Sequence, residues 1–191
     1  LYHDHQGVFG DNQLRYALMS RAALEVPRAV SLGGAPWGDV DILHAHDWHA
    51  ALVPLFHQAI YKPVGLYPGA RSVLTIHNAA HQGVFSMETL GGLDVSLRHA
   101  EAVAFGGALN TLKAGVQSAD MVTAVSPTFA TELQTAAGGF GLDEIFRQAQ
   151  SAGRLRGILN GIDVDRWNPA TGPHLVAHFS AAELQGKAAN K

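Results

Sequence analysis

The sequence predicts an α/β fold built on a parallel sheet flanked by helices, and three observations support it. Short apolar runs alternate with segments whose apolar residues recur at helical spacing, the pattern of βαβ units. Four of those runs stop abruptly at polar or turn residues: Asp47 and His49, His77-Asn78, Ser126, and Asn160. Of the 191 residues, 47% are hydrophobic and 15% charged, which is enough apolar material for a core.

The elements follow in order. Leu14, Ala17, Leu18, Ala22 and Val26 have helical spacing over residues 12–26, with Asp11 as N-cap and Pro27 as stop. A turn at Gly33-Gly34-Ala35-Pro36 leads to a strand at 40–44, and residues 48–61 read as one helix. The second strand is 71–76. Residues 79–107 form a long glycine-containing loop, of the kind that is often functional. Residues 108–118 read as helix, 121–125 as the third strand, 127–135 and 142–151 as helices, and 155–159 as the fourth strand. A capped helix start closes the sequence at 180–191.

Composition narrows the function. A net charge of -3 and a pI near 6.4 leave no basic footprint for nucleic acid. With no cysteine, there is no disulfide, thiolate metal site or cysteine nucleophile. No apolar run approaches the roughly 18 residues of a membrane span. The start, Leu1-Tyr2-His3-Asp4, has neither an initiator Met nor a signal pattern, so the chain reads as a piece of a longer, cytoplasmic protein.

On a parallel sheet all four strand ends share one edge, where ligands bind in open α/β folds. Each candidate residue also has a plainer reading. His44 and His46, two apart, share a strand face and suit zinc, with His77 as a further ligand. The usual H-x-H-x-D-H order fails, however, because Trp48 precedes His49 and Asp47 falls one place early. His44 taken alone reads equally as a buried structural histidine, and Trp48 as a core aromatic. Asp47 is either a ligand-facing carboxylate or the N-cap of the helix after it. His77-Asn78 offers an imidazole and an amide suited to sugar hydroxyls. Asn160-Gly161 reads as a tight turn when taken alone. No phosphate loop, G-x-G-x-x-G or G-x-S-x-G motif is present.

One ordered set of motifs goes further. It comprises His44-Ala45-His46-Asp47-Trp48-His49-Ala50, Thr75-Ile76-His77-Asn78-Ala79-Ala80-His81-Gln82-Gly83, Leu112-Lys113-Ala114-Gly115, Val125-Ser126-Pro127-Thr128, Gly139-Phe140-Gly141-Leu142, and the run from Leu159-Asn160-Gly161 to Ala170-Thr171. With these, the chain strongly resembles the bacterial glycogen synthase and plant starch synthase family over nearly its whole length. The resemblance implies a GT-B type glycosyltransferase, two Rossmann-like domains facing across a cleft. It places residues 1–179 in the later part of the N-terminal domain and 180–191 at the start of the connection to a C-terminal domain.

The resemblance also implies transfer of glucose from ADP-glucose to the non-reducing end of glycogen or another α-1,4-glucan, with retention of configuration. Neither cofactor nor metal is called for, nor is nucleic acid or membrane a partner; the location is cytoplasmic, or a plastid in a plant. Asp47 and His77 take catalytic roles, and Tyr2, His49, Asn78, Gln82 and Asn160 bind substrate, with Tyr2 on the acceptor side. The family's Lys-x-Gly-Gly-Leu loop and the Arg, Lys and Glu of the opposing domain do not occur here, so the piece alone is expected to be inactive. Ala51 stands where the family usually has Gly, and His81 where Tyr is common. Two alternatives remain: a metal-dependent hydrolase using His44, His46 and His77, and a non-catalytic glucan-binding module.

Overall fold

The computed structural model describes residues 3–5, 7–31, 37, 39–93 and 99–191. They fall into two compact units, Leu1–Ile158 and Leu159–Lys191. The first opens with an antiparallel pair, β1 (His3–Asp4) and β2 (Gly7–Val8), followed by helix α1 (Asn12–Ala29). Asp11 stands at the N-cap position, but its side chain makes no capping bond. Pro27 does not stop the helix, which continues to Ala29. In the last turn its missing N–H and its ring disturb only one rung of the ladder.

The central sheet is four-stranded and parallel, in the order β3 (Ile42–His46), β4 (Arg71–Ile76), β8 (Met121–Ala124) and β9 (Leu155–Gly157). Its register aligns His46 with Thr75, Thr75 with Thr123, and Thr123 with Arg156, so the four carboxyl ends lie on one edge. Strand β4 matches its expected bounds, while β3 starts and ends two residues later than expected. Burial alternates along β3: Leu43 and Ala45 face the core, and Ile42, His44 and His46 are exposed. Strand β9 stops at Gly157, short of the expected 159. A single further bond, Ile158 N–H to Ala124 O at 2.8 Å, extends the ladder.

After β3 the expected continuous helix is broken into α2 (Asp47–Ala50), α3 (Leu52–Phe56), a π-helical turn His57–Tyr61 and a 3₁₀ turn Lys62–Val64. Pro54 has no N–H to give to the carbonyl of Ala50, which interrupts the ladder there. Leu52, Leu55 and Phe56 of α3 join Leu74, Ile76 and Val122 of the sheet in the core.

The expected long loop holds structure of its own. A small antiparallel sheet, β5 (Val84–Ser86), β7 (Ala108–Asn110) and β6 (Ala104–Phe105), encloses a 3₁₀ helix Met87–Leu93 and helix α4 (Ala100–Val103). Residues 108–110 are therefore strand and not helix. Helix α5 (Thr111–Ser118) begins after Asn110, whose Oδ1 accepts the N–H of Lys113 at 2.9 Å.

The remaining helices of this unit are α6 (Pro127–Glu132), α7 (Ala136–Gly139) and α8 (Asp143–Ser151), the first capped by the Ser126 hydroxyl on Phe129 N–H. In the second unit the expected helix from Ser180 is replaced by a 3₁₀ helix, Gln185–Asn190. Ser180 makes its capping bond to Glu183 N–H, but it closes only a turn. Among the described residues, no helix is long and apolar enough to cross a membrane.

Candidate active site

The carboxyl edge of the central sheet gathers the first cluster of candidate residues. Strand β3 ends at His46, and the chain turns at Asp47 with a φ of 53°, a left-handed conformation that costs a non-glycine residue about 1–2 kcal/mol. This geometry takes the Asp47 carboxylate away from its own helix. His46, not Asp47, occupies the N-cap position of α2, and its side chain makes no cap bond. Oδ1 of Asp47 instead accepts the backbone N–H of His77 at 2.7 Å and of Asn78 at 3.3 Å, just beyond the end of β4. The local capping reading of Asp47 is thereby corrected: it ties two strand ends together.

His77 is exposed, and its ring is held as well as its backbone. Nε2 of His77 lies 3.1 Å from Nδ1 of His46. His46 stacks on His44 with ring centroids 4.4 Å apart. Nε2 of His44 reaches Thr75 Oγ1 at 2.7 Å, which meets Thr123 Oγ1 at 2.7 Å. His44 is exposed, so it is not the buried structural histidine of the plainer reading. His57 fills that role: it is buried, and its Nε2 lies 3.0 Å from Tyr67 O. Burial, reinforced by His44 and His77, lowers the pKa of His46 against the pull of Asp47.

Asn78 spends its side-chain oxygen on its own turn, accepting Ala80 N–H at 2.9 Å. Gln82 is more fully committed. Its Nε2 donates to Ala79 O at 3.2 Å and Phe140 O at 3.0 Å, while Oε1 accepts from Asn110 Nδ2 at 2.7 Å. Only one acceptor lone pair is left for a ligand. His49 packs into an aromatic group with Trp48 (4.1 Å) and Tyr16 (5.0 Å), and burial lowers its pKa, opposed by Asp47. Trp48 is buried, as its core reading requires. A cavity of about 270 Å³ beside this group is lined by Val8, Asn12, Trp48, His81, Gln82 and Phe85.

The structure therefore brings Asp47, His77 and Asn78 together, and Gln82 ties the residue after them, Ala79, to Phe140 and Asn110. Tyr2 lies outside the described residues, and Asn160 is an exposed residue of the second unit. Among the described residues, no group of three or more His, Cys, Asp or Glu side chains is arranged to hold a metal ion. Two of the histidines of the hydrolase reading, His46 and His77, are hydrogen-bonded to each other through Nδ1 and Nε2 at 3.1 Å. Sequence reasoning missed the part played by Thr75 and Thr123, although strand alternation puts both on the face that carries His44 and His46.

Residues 1–148 match the family model described as the starch synthase catalytic domain. The chain belongs to that family. Its relatives include soluble starch synthase 1 of Solanum tuberosum, 42% identical over 97% of this chain and 31% of that protein. A glycogen synthase of Anaeromyxobacter sp. (strain Fw109-5) is 48% identical over 96% of this chain and 37% of that protein. The catalytic domain of starch synthase IV from Arabidopsis thaliana, solved bound to ADP and acarbose, superposes with a TM-score of 0.71 at 37% identity, covering 94% of this chain and 36% of that one. The chain thus spans about a third of the length of the curated relatives it matches. The fold is a parallel α/β sheet flanked by helices, and it matches part of the GT-B fold of that starch synthase catalytic domain.

Proposed function

We propose that this chain forms one wall of the donor-sugar site of a retaining glucosyltransferase. In the whole protein, glucose passes from ADP-glucose to the 4-hydroxyl at the non-reducing end of glycogen or a similar α-1,4-glucan. The observation that carries this reading is the Asp47 carboxylate, held in a strained turn against the N–H of His77 on the shared strand edge. Retaining transfer without a covalent enzyme intermediate requires the donor to be positioned and oxocarbenium-like charge to be stabilised. A fixed carboxylate supplies such stabilisation without reorganising as the charge develops. The His77 ring and the Asn78 amide nitrogen are suited to bond sugar hydroxyls. The resemblance also assigns substrate contacts to His49, Gln82, Asn160 and Tyr2.

The names of the relatives support the reading, as does the nucleotide and oligosaccharide bound to the Arabidopsis thaliana domain. We place the protein in the cytoplasm, or in a plastid if its source is a plant, as for the chloroplastic relative.

The test is transfer of radiolabelled glucose to glycogen by the full-length protein that contains this chain, with ADP-glucose and UDP-glucose as rival donors. Incorporation from ADP-glucose into α-linked product is expected, and the 191-residue chain alone should give none. A full-length protein that transfers from neither donor would refute the reading.

A further inference from the structure

His77 is held by more than its backbone. The parallel register sets β3 beside β4, so His44 and His46 stand on the same face as Thr75, next to the end where His77 follows. His46 is sandwiched there, its ring stacked on His44 at 4.4 Å and its Nδ1 3.1 Å from His77 Nε2. His44 is itself pinned through Thr75 to Thr123 by two contacts of 2.7 Å. The support of the His77 ring thus runs back across three strands of the sheet.

We infer that His46 is a positioning residue for His77: their nitrogen–nitrogen bond fixes the ring plane of His77, couples its tautomer to that of His46, and leaves Nδ1 as the ring nitrogen that meets the ligand. The inference rests on the reading that His77 binds the transferred glucose. A hydrogen bond between two neutral imidazoles needs one N–H and one lone pair. If His46 donates, the His77 proton sits on Nδ1, which becomes a donor to a sugar hydroxyl. If His77 donates, its Nδ1 becomes an acceptor. In both cases the two nitrogens of His77 cease to be interchangeable, and the ring cannot turn without breaking the bond. The lowered pKa of His46, which burial causes first and His44 and His77 reinforce, keeps that ring neutral at neutral pH and able to take either role.

The test uses the full-length enzyme, with ADP-glucose as donor and glycogen as acceptor. His46→Phe keeps a ring to stack on His44 but has no Nδ1, while His46→Asn restores a polar atom near that position. His46→Phe should lower kcat about tenfold or more while the Kd for ADP alone stays within about twofold. His46→Asn should recover most of the loss. In a His77→Ala background, His46→Phe should add less than about twofold, because the ring it positions is gone. A His46→Phe enzyme with wild-type kcat, or one whose loss persists undiminished in that background, overturns the inference. A His77→Ala enzyme with full activity overturns the reading of His77 itself, and the inference with it.

Discussion

The carboxylate of Asp47 accepts the backbone N–H of His77 at 2.7 Å, from a residue whose own backbone is left-handed at a φ of 53°. Asn tolerates that backbone as well as Asp does, and its side-chain oxygen still reaches His77. Asp47→Asn should therefore leave thermal stability within about 1 kcal/mol of wild type, the scale of a single neutral hydrogen bond. In the full-length enzyme kcat should fall about a hundredfold or more, the scale of a lost transition-state contact. Asp47→Gly relieves the strain but releases His77, so its melting temperature should hold while activity collapses. Near-normal kcat in Asp47→Asn would reduce Asp47 to a structural tie.

Gln82 and Asn110 should behave as one unit. The Gln82 amide bridges Ala79, Phe140 and Asn110, and Asn110 in turn caps α5 through Lys113 N–H. Gln82→Leu and Asn110→Ala should each destabilise the protein, the second by about 1 kcal/mol or more through the lost cap alone. Denaturant melts of both single mutants and the double mutant should show coupling of about 0.5–3 kcal/mol. Strict additivity would mean that the two amides act independently.

How much of this could be read from the sequence depended on the kind of signal. Strand β4 was legible because its β-branched and apolar residues Val73, Leu74, Thr75 and Ile76 follow one another without a turn residue, and Ser72, Leu74 and Ile76 alternate as the buried face. Strand β3 was misplaced because apolar content marks only the residues that face the core. The ladder continues through His44 and His46, whose side chains stand on the exposed face where polarity costs nothing. Residues 108–110 passed for helix because Ala108-Leu109 has no strand signature, although Asn110 carried the N-cap signal. The strand ends were correctly expected to share an edge, since parallel pairing dictates it. The left-handed turn at Asp47 could not be foreseen, because no glycine marks it and the carboxylate is held by the N–H groups of His77 and Asn78, which follow a different strand.

Asp120 should make part of the stability depend on acid. Burial raises its pKa, but the N–H and hydroxyl of Ser72 and the Arg71 guanidinium together outweigh burial and leave it lowered. A carboxylate with a depressed folded pKa contributes stability that is present above the unfolded value, about 3.9, and is lost as pH falls through the folded value. The melting temperature of wild type should exceed that of Asp120→Asn at neutral pH. The gap should close as the pH falls below about 4. A gap that stays constant down to pH 2 would show that charge plays no part in this tie between β4 and β8.

Gly115 should be intolerant of even one added methyl group. A Cβ built there would lie 2.8 Å from Ala51 Cβ, from Ala51 O and from Leu74 Cδ2, so α5 is seated directly on the α2–α3 junction at Ala51 and on Leu74 of β4. Gly115→Ala removes a helix-weakening glycine, which in an open helix would stabilise by about 1 kcal/mol. Overpacking here opposes that gain, and costs of about 1–3 kcal/mol are usual in a well-packed core. Ala51 is the position where the family usually has glycine, and Ala51→Gly would remove one of the three clashing atoms. It would leave the Ala51 carbonyl and the Leu74 methyl in place. Gly115→Ala should therefore lower the melting temperature, and adding Ala51→Gly should restore only part of the loss. Full restoration would mean that the two Cβ atoms alone set the distance between α5 and the chain at Ala51. A stabilised single mutant would show that α5 can move far enough to admit the methyl group.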